Sequence, residues 1–279
     1  QTFLRMRTMI LLTRFWVTLL FLGNVKAISF LLKFCLCILN GFETLIMEFK
    51  KHVLIIGSGP NAVKAAELET AFDVIVVINN AWRVRPDWSH LIYPYDFPKE
   101  RWPQEINYSQ TVITEKEFVP IQNQYGGFIY AGATMAFTAG YWVLGALKPS
   151  HISFIGCDMH YPKIGKTHFY GKGTADPLRE DISLMSLKAK SNRFLSFAHE
   201  QNCLVGNLSD GPSKLTFPRI SSATSWPEIP NLRVDLISQA LKQEKDLGYF
   251  DRSGRYWENL DKYDCKEIKK IDNIWEQAF

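Results

Sequence analysis

His160, Tyr161, His168, Tyr170, Lys172 and Arg179 crowd into one short segment, interleaved with Gly165, Gly171 and Gly173. Histidine titrates nearest neutrality, so it is the usual base for taking a proton from a hydroxyl. Lysine and arginine offer cations to a departing phosphate. Together these types suit transfer of a group from a phosphate-bearing donor to a hydroxyl, in a cleft that holds both in line. Asp158 heads the segment, in "GCDMHYP", as a ligand contact or as a turn cap. Asp158, His160 and His168 come nearest to a metal-ligand set, but their spacing is loose. No Asp-x-Asp pair occurs, so the expected transfer is metal-independent.

A second set of chemistry-bearing residues lies in "HVLIIGSGPNAVKAAELETAFDVIVVINNAW". Gly57-Ser58-Gly59-Pro60 begins a G-x-G-x-x-A pattern. Glycines there permit close approach of a phosphate, and a helix N-terminus attracts the anion. A strand-to-helix turn that needs glycine explains the same residues. A fold that binds NAD or FAD wants an acid at the end of its second strand. This strand ends in Asn79 and Asn80, which hydrogen-bond a base or a ribose without a carboxylate. The expected ligand is therefore a nucleotide of another kind.

Those residues need elements to hold them. The apolar runs His52–Ile56, Phe72–Ile78 and His151–Ile155 read as strands buried on both faces. Asn61–Thr70 reads as a helix, opened by Pro60. "LIYPYD" and Thr111–Thr114 read as further strands, in an otherwise loop-rich stretch from 98 to 128. "GGFIYAGATMAFTAGYWVLGALKP" reads as one long helix stopped by Pro149. Asp181–Gln201 is an amphipathic helix, "CLVGNLS" a strand, and Leu232–Leu247 a helix. The alternation implies an α/β, Rossmann-like fold: a mostly parallel sheet with helices on both faces and a small helical C-terminal region. The nucleotide-binding domain would be 47–210, and 211–279 a Pro-rich linker and helical extension. Ligands of such sheets sit beyond the strand C-terminal ends, here loops 57–60, 79–85, 93–98, 126–134 and 156–174.

Composition narrows the partners. The chain has 279 residues, 47% hydrophobic and 22% charged, with a net charge of +4. That suits a packed globule. No basic stripe interleaves with aromatics, so nucleic acid is not expected as a partner. Cys35, Cys37, Cys157, Cys203 and Cys265 form no metal or disulfide spacing, which reads as reduced thiols in a cytoplasmic protein. Residues 1–46 differ from the rest: two apolar runs broken by Arg14 and Lys33, each shorter than a spanning helix. They read as over-extended translation upstream of Met47, as a membrane anchor giving peripheral membrane association, or as a signal peptide. Arg83 and Arg85 are anion contacts or solvated loop residues. Trp82 and Trp88 read as core, and His199 as structural.

The order of these motifs resembles the bacterial sialyltransferases of glycosyltransferase family 42. It also resembles the wider group with their fold, which includes flagellin-modifying proteins and archaeal pterin pyrophosphokinases. The resemblance spans roughly residues 52–208. It implies that Gly57, Ser58, Gly59, Pro60 and Asn79, with Asn80 adjacent, contact the cytidine nucleotide of a CMP-sugar; the family has Asn where Ser58 stands. The family's Ser-Gly turn corresponds to Ala131-Gly132. Its Gly-x-Asp-x-Tyr strand end corresponds to Gly156-Cys157-Asp158-Met159-His160, with Tyr161 next door. Its catalytic His aligns with Lys172 in "THFYGKGTADP", so the base moves to His168 or His160, or the chemistry differs. Tyr161, Tyr170 and Arg179 would meet phosphate or substrate. The implied activity is transfer of a sugar from a CMP-activated donor to a glycan acceptor, without a cofactor. The alternatives are a diphosphokinase, with Lys172, Arg179, Arg83 and Arg85 serving phosphates and a Mg²⁺ ion, and a non-catalytic nucleotide-binding protein.

Overall fold

The computed structural model describes residues 51–69, 72–162, 164–173, 179–226 and 232–279. The leader of residues 1–46 and Thr70, the expected end of the first helix, lie outside them. Six strands form the sheet: β1 His52–Ile56, β2 Val74–Ile78, β3 His90–Ile92, β4 Thr111–Ile113, β5 His151–Ile155 and β6 Leu204–Asn207. Their order is β4-β3-β2-β1-β5-β6, and every pairing is parallel. The continuous Val and Ile runs of β1 and β2 follow from burial on both faces.

Alternate residues feed two cores. Val53, Ile55, Val76, Ile78, Ile152 and Phe154 share a cluster with Phe118, Phe137, Tyr141 and Phe194. These aromatics belong to α1 (Glu115–Gln124), α3 (Met135–Trp142) and α4 (Leu187–Glu200). Leu54, Ile56, Ile75 and Val77 face the other way, onto Ala62, Ala65, Ala81, Trp88, Leu208 and Ile220. Among the described residues, this second face is covered by 3-10 turns at Pro60–Glu67 and Asn79–Arg83 and by loop segments. The expected α-helix after the glycine turn is thus a 3-10 helix.

Two further expectations change. The stretch expected to be loop-rich contains α1, entered through Thr114, whose N–H and hydroxyl both donate to the Glu117 carboxylate at 2.8 Å. The expected single long helix is broken. The short α2 (Phe128–Ala131) ends at Gly132, whose φ of +87° suits glycine alone, and Thr134 then caps α3 by accepting from Phe137 N–H at 3.3 Å. Residues Lys50–Phe279 form one compact unit, so the C-terminal helices α5 (Val234–Leu247) and α6 (Cys265–Trp275) belong to the α/β body. Among the described residues no helix is long and apolar enough to cross a membrane.

Buried ion pairs join the C-terminal helices to α4. Arg193 donates from Nε and Nη2 to the two Glu244 oxygens at 2.8 and 2.7 Å. It also reaches the Tyr141 hydroxyl at 2.9 Å and the Tyr125 carbonyl at 2.7 Å. Trp275 Nε1–H completes Glu244 at 2.8 Å, and Lys190 meets Asp272 at 2.7 Å. Burial opposes the Arg193 charge, but Glu244 and Tyr141 hold the guanidinium protonated beyond its usual range. Glu244→Ala would leave that buried cation uncompensated, so urea unfolding should show a loss of about 3–5 kcal/mol.

At the opposite end of the sheet from the strand C-termini, burial and the neighbouring His151 push His52 from 6.5 down to about 4, against the pull of Asp73. The unfolded chain therefore takes up this proton first as pH falls. The melting temperature should fall as pH drops from 6.5 towards 4, and the fall should be shallower in His52→Gln.

Candidate functional site

From β1 the sheet runs to β2, β3 and β4 on one side and to β5 and β6 on the other. The chain leads from β1 to one side of the sheet and from β5 to the other, and the strand C-termini at such a switch point are where open parallel sheets bind ligands. A cleft of ≈ 540 Å³ opens at this point. It is lined by Gly57, Ser58, Gly59, Pro60, Asn79, Asn80, Gly156, Asp158, His160, Tyr161, His168, Tyr170 and Lys172. Of the residues singled out in the sequence for the site, Gly132, Arg179, Arg83 and Arg85 do not line it. Gly132 ends α2, and a Cβ there would lie 2.9 Å from Phe137 Cδ2. Arg179 donates to Asp181 at 3.0 Å and to the Tyr256 hydroxyl at 3.3 Å, beside a separate cavity walled by Leu260 and Tyr263. Arg85 is held by Asp87 and the Ala65 carbonyl, Trp88 is buried in the core, and His199 is exposed on the last turn of α4.

Two amides of the glycine turn are already bonded within the protein. Gly57 N–H donates to the Ile155 carbonyl and Gly59 N–H to the Gly156 carbonyl, each at 2.8 Å. Pro60 has no N–H. The glycines instead let the β1 and β5 loops cross in contact. A Cβ on Gly57 would strike the Gly156 carbonyl oxygen and sit 2.6 Å from Cys157 Sγ. One on Gly59 would sit 2.7 Å from the Gly156 oxygen, and one on Gly156 would sit 2.8 Å from Ala62 Cβ.

Anion-attracting groups lie elsewhere on the cleft wall. Thr134, Met135 and Ala136, at the start of α3, line it, as do Lys172 and Arg101. A helix N-terminus and two cations favour negative charge. Sequence reasoning missed Arg101 and Thr134. Arg101 lies in a 3-10 turn tied back by Trp82 Nε1–H donating to its carbonyl at 2.9 Å. The Thr134 signal was present, since a Thr before an apolar run marks a helix start.

The asparagines at the end of β2 are unusual. Asn79 takes a left-handed φ of +52°, and Met159 across the cleft one of +49°. Asn tolerates this region, Met poorly, and such backbone gathers at functional sites. Asn80 is 2% exposed, and the side-chain oxygens of Asn79 and Asn80 are buried without a partner. A buried amide left so costs about 1–3 kcal/mol.

The histidine segment closes over the glycine turn. His168 and Gly171 exchange both backbone hydrogen bonds, and Phe169 N–H donates to the Ser58 carbonyl at 3.1 Å. His168 is 8% exposed, stacked on Tyr170 with centroids 5.1 Å apart, with Tyr161 at 5.8 Å. Its Nδ1 lies 2.9 Å from the Thr167 hydroxyl, which accepts from Gly173 N–H at 3.0 Å. His160 is exposed. Asp158 is drawn into a structural knot: it accepts from Asn207 Nδ2 at 3.1 Å and lies 3.7 Å from Arg219. Burial and the Asp158 charge push the Cys157 thiol upward, which keeps it unreactive. Among the described residues no group of three His, Cys, Asp or Glu side chains is gathered as metal ligands would be. No family model, curated protein or solved structure matches the chain.

The crossing makes glycine a structural need before any ligand arrives. Gly57→Ala should lower the stability of the ligand-free protein by about 1–3 kcal/mol through overpacking. An unchanged urea midpoint with lost nucleotide binding would make the turn a phosphate cradle.

Proposed function

We propose that the protein transfers a sugar from a CMP-activated donor to a hydroxyl of a glycan acceptor. The observation that carries this reading is the asparagine pair. Asn79 and Asn80 line the cleft, keep unpartnered amide oxygens and replace the acid that a dinucleotide site requires. Turned into the cleft, these buried oxygens suit the exocyclic amine of a cytosine or a ribose hydroxyl.

Roles follow from position. His168 is the base, since its ring is fixed by Tyr170 and Thr167 where His160 is exposed. With the Thr167 proton on the Gly173 carbonyl, at 3.4 Å, His168 Nδ1–H donates to Thr167 and Nε2 carries the basic lone pair. Nε2 takes the acceptor O–H proton as that oxygen bonds to the anomeric carbon. The bond from that carbon to the phosphate oxygen breaks, and CMP leaves with the electron pair. Lys172, Arg101 and the start of α3 stabilise the charge on the leaving phosphate.

A thermal-shift series on the full chain tests this, using CMP, CMP-sialic acid, UDP, NAD, FAD and ATP with Mg²⁺. Cytidine nucleotides near 100 times their dissociation constant should stabilise by about 2.7 kcal/mol, without metal. Asn80→Ala should weaken that shift. His168→Ala should keep the shift and lose transfer by about 10²–10⁴-fold, with His160→Ala much less affected. A shift confined to ATP with Mg²⁺, or to NAD, overturns the reading.

A further inference from the structure

Tyr95 and Trp257 are 64% and 45% exposed, yet they stack with centroids 6.3 Å apart and planes 22° from parallel. The Arg255 guanidinium sits 5.8 Å from the Tyr95 ring centre and pairs with Glu258 at 3.4 Å. We propose that this pair is a sugar-ring subsite that seats the acceptor glycan, a step that rests on the glycosyl-transfer reading above.

Two large aromatics left in water side by side are informative where one would not be. Both are held in place. Tyr95 stands between Pro94 and Pro98 in a loop closed by Phe97 N–H donating to the Pro94 carbonyl at 3.0 Å. Trp257 packs edge-on against Tyr256, which is buried and donates to Asp181 at 2.6 Å. Rigid rings lose little entropy on binding. A pyranose offers one face of C–H groups ringed by hydroxyls. The stacked rings match that face, and the Arg255 donors and Glu258 acceptor match the ring of hydroxyls.

Its place in the fold supports the same occupant. Tyr95 shares its loop with Phe97 and, beyond it, Arg101, both of which line the cleft. Trp257 follows Tyr256, whose hydroxyl partner Arg179 donates to the Ala133 carbonyl at 3.4 Å, one residue before Thr134 on the facing wall. The platform is therefore tied to segments that line both walls of the cleft.

Saturation-transfer NMR on the full chain, with lactose, N-acetyllactosamine and maltose as probes, tests the subsite. At least one should receive saturation at its ring C–H protons. Trp257→Ala and Tyr95→Ala should weaken binding roughly 3- to 10-fold, Tyr95→Phe should not, and the thermal shift given by CMP should stay unchanged in all three. No transfer to any probe, or equal transfer in Trp257→Ala, overturns the subsite. A CMP shift with no saccharide signal removes this inference alone. A saccharide signal lost in Trp257→Ala, with no CMP shift, upholds the platform as a glycan site and removes the CMP-donor reading.

Discussion

The Gly59 amide donates to the Gly156 carbonyl at 2.8 Å, and the site depends on that crossing. Two loops leave neighbouring parallel strands at the switch point of the sheet and touch backbone to backbone. No side chain larger than hydrogen fits at Gly57, Gly59 or Gly156 without moving main chain. The contact fixes the cleft floor and orients Ser58, whose carbonyl then receives Phe169 from the histidine segment. One backbone constraint thus sets the position of His168. It also withdraws the amides of Gly57 and Gly59 from any phosphate. A pattern that would grip a pyrophosphate elsewhere works here as a clasp.

The opposite wall is held by a different force. Thr134, Met135 and Ala136 can line the cleft because Gly132 turns the chain between α2 and α3. That turn is packed against Phe137 and the Lys190 side chain, and Lys190 is paired with Asp272 of α6. Buried ion pairs contribute little net stability relative to apolar packing, but they tolerate no substitute partner. Arg193 and Lys190 therefore specify where the C-terminal helices sit more than they add to the strength of the fold. The segment that joins those two helices carries Tyr256 and Trp257, so the specification reaches the aromatic pair.

The strands were legible because burial on both faces demands unbroken apolar runs, and β1 and β5 lie where such runs predict. The helices were harder. α1 forms despite Pro120, because Thr114 with Glu117 three residues on is a capping box. The long run from Gly126 hid its break, since Gly132 looks like any small packing residue until its φ is known. The cleft residues were legible because chemistry gathers at strand C-termini. Arg101 was not, because a surface arginine in a turn carries no local mark; only the fold brings it to the cleft. Arg179 lies off the cleft lining for the converse reason: near in sequence to the histidines, it is bound by Asp181 and Tyr256.

The distribution of hydrogen-bonding capacity gives the proposed ligand a direction. Unpartnered acceptors stand at the end of β2, on Asn79 and Asn80. Cations and the start of α3 also line the cleft, while the Gly57 and Gly59 amides are bonded to the Ile155 and Gly156 carbonyls. A nucleotide laid along this gradient puts its base at the asparagines and its phosphate toward Lys172 and Arg101. On the proposed reading the bond that breaks would lie beside His168, whose ring is stacked on Tyr170. An acid at the end of β2 would set its charge against the base-binding end without gaining the paired ribose hydroxyls of a dinucleotide. The asparagines answer the same geometry with neutral groups, and that exchange fits a mononucleotide carried on a sugar.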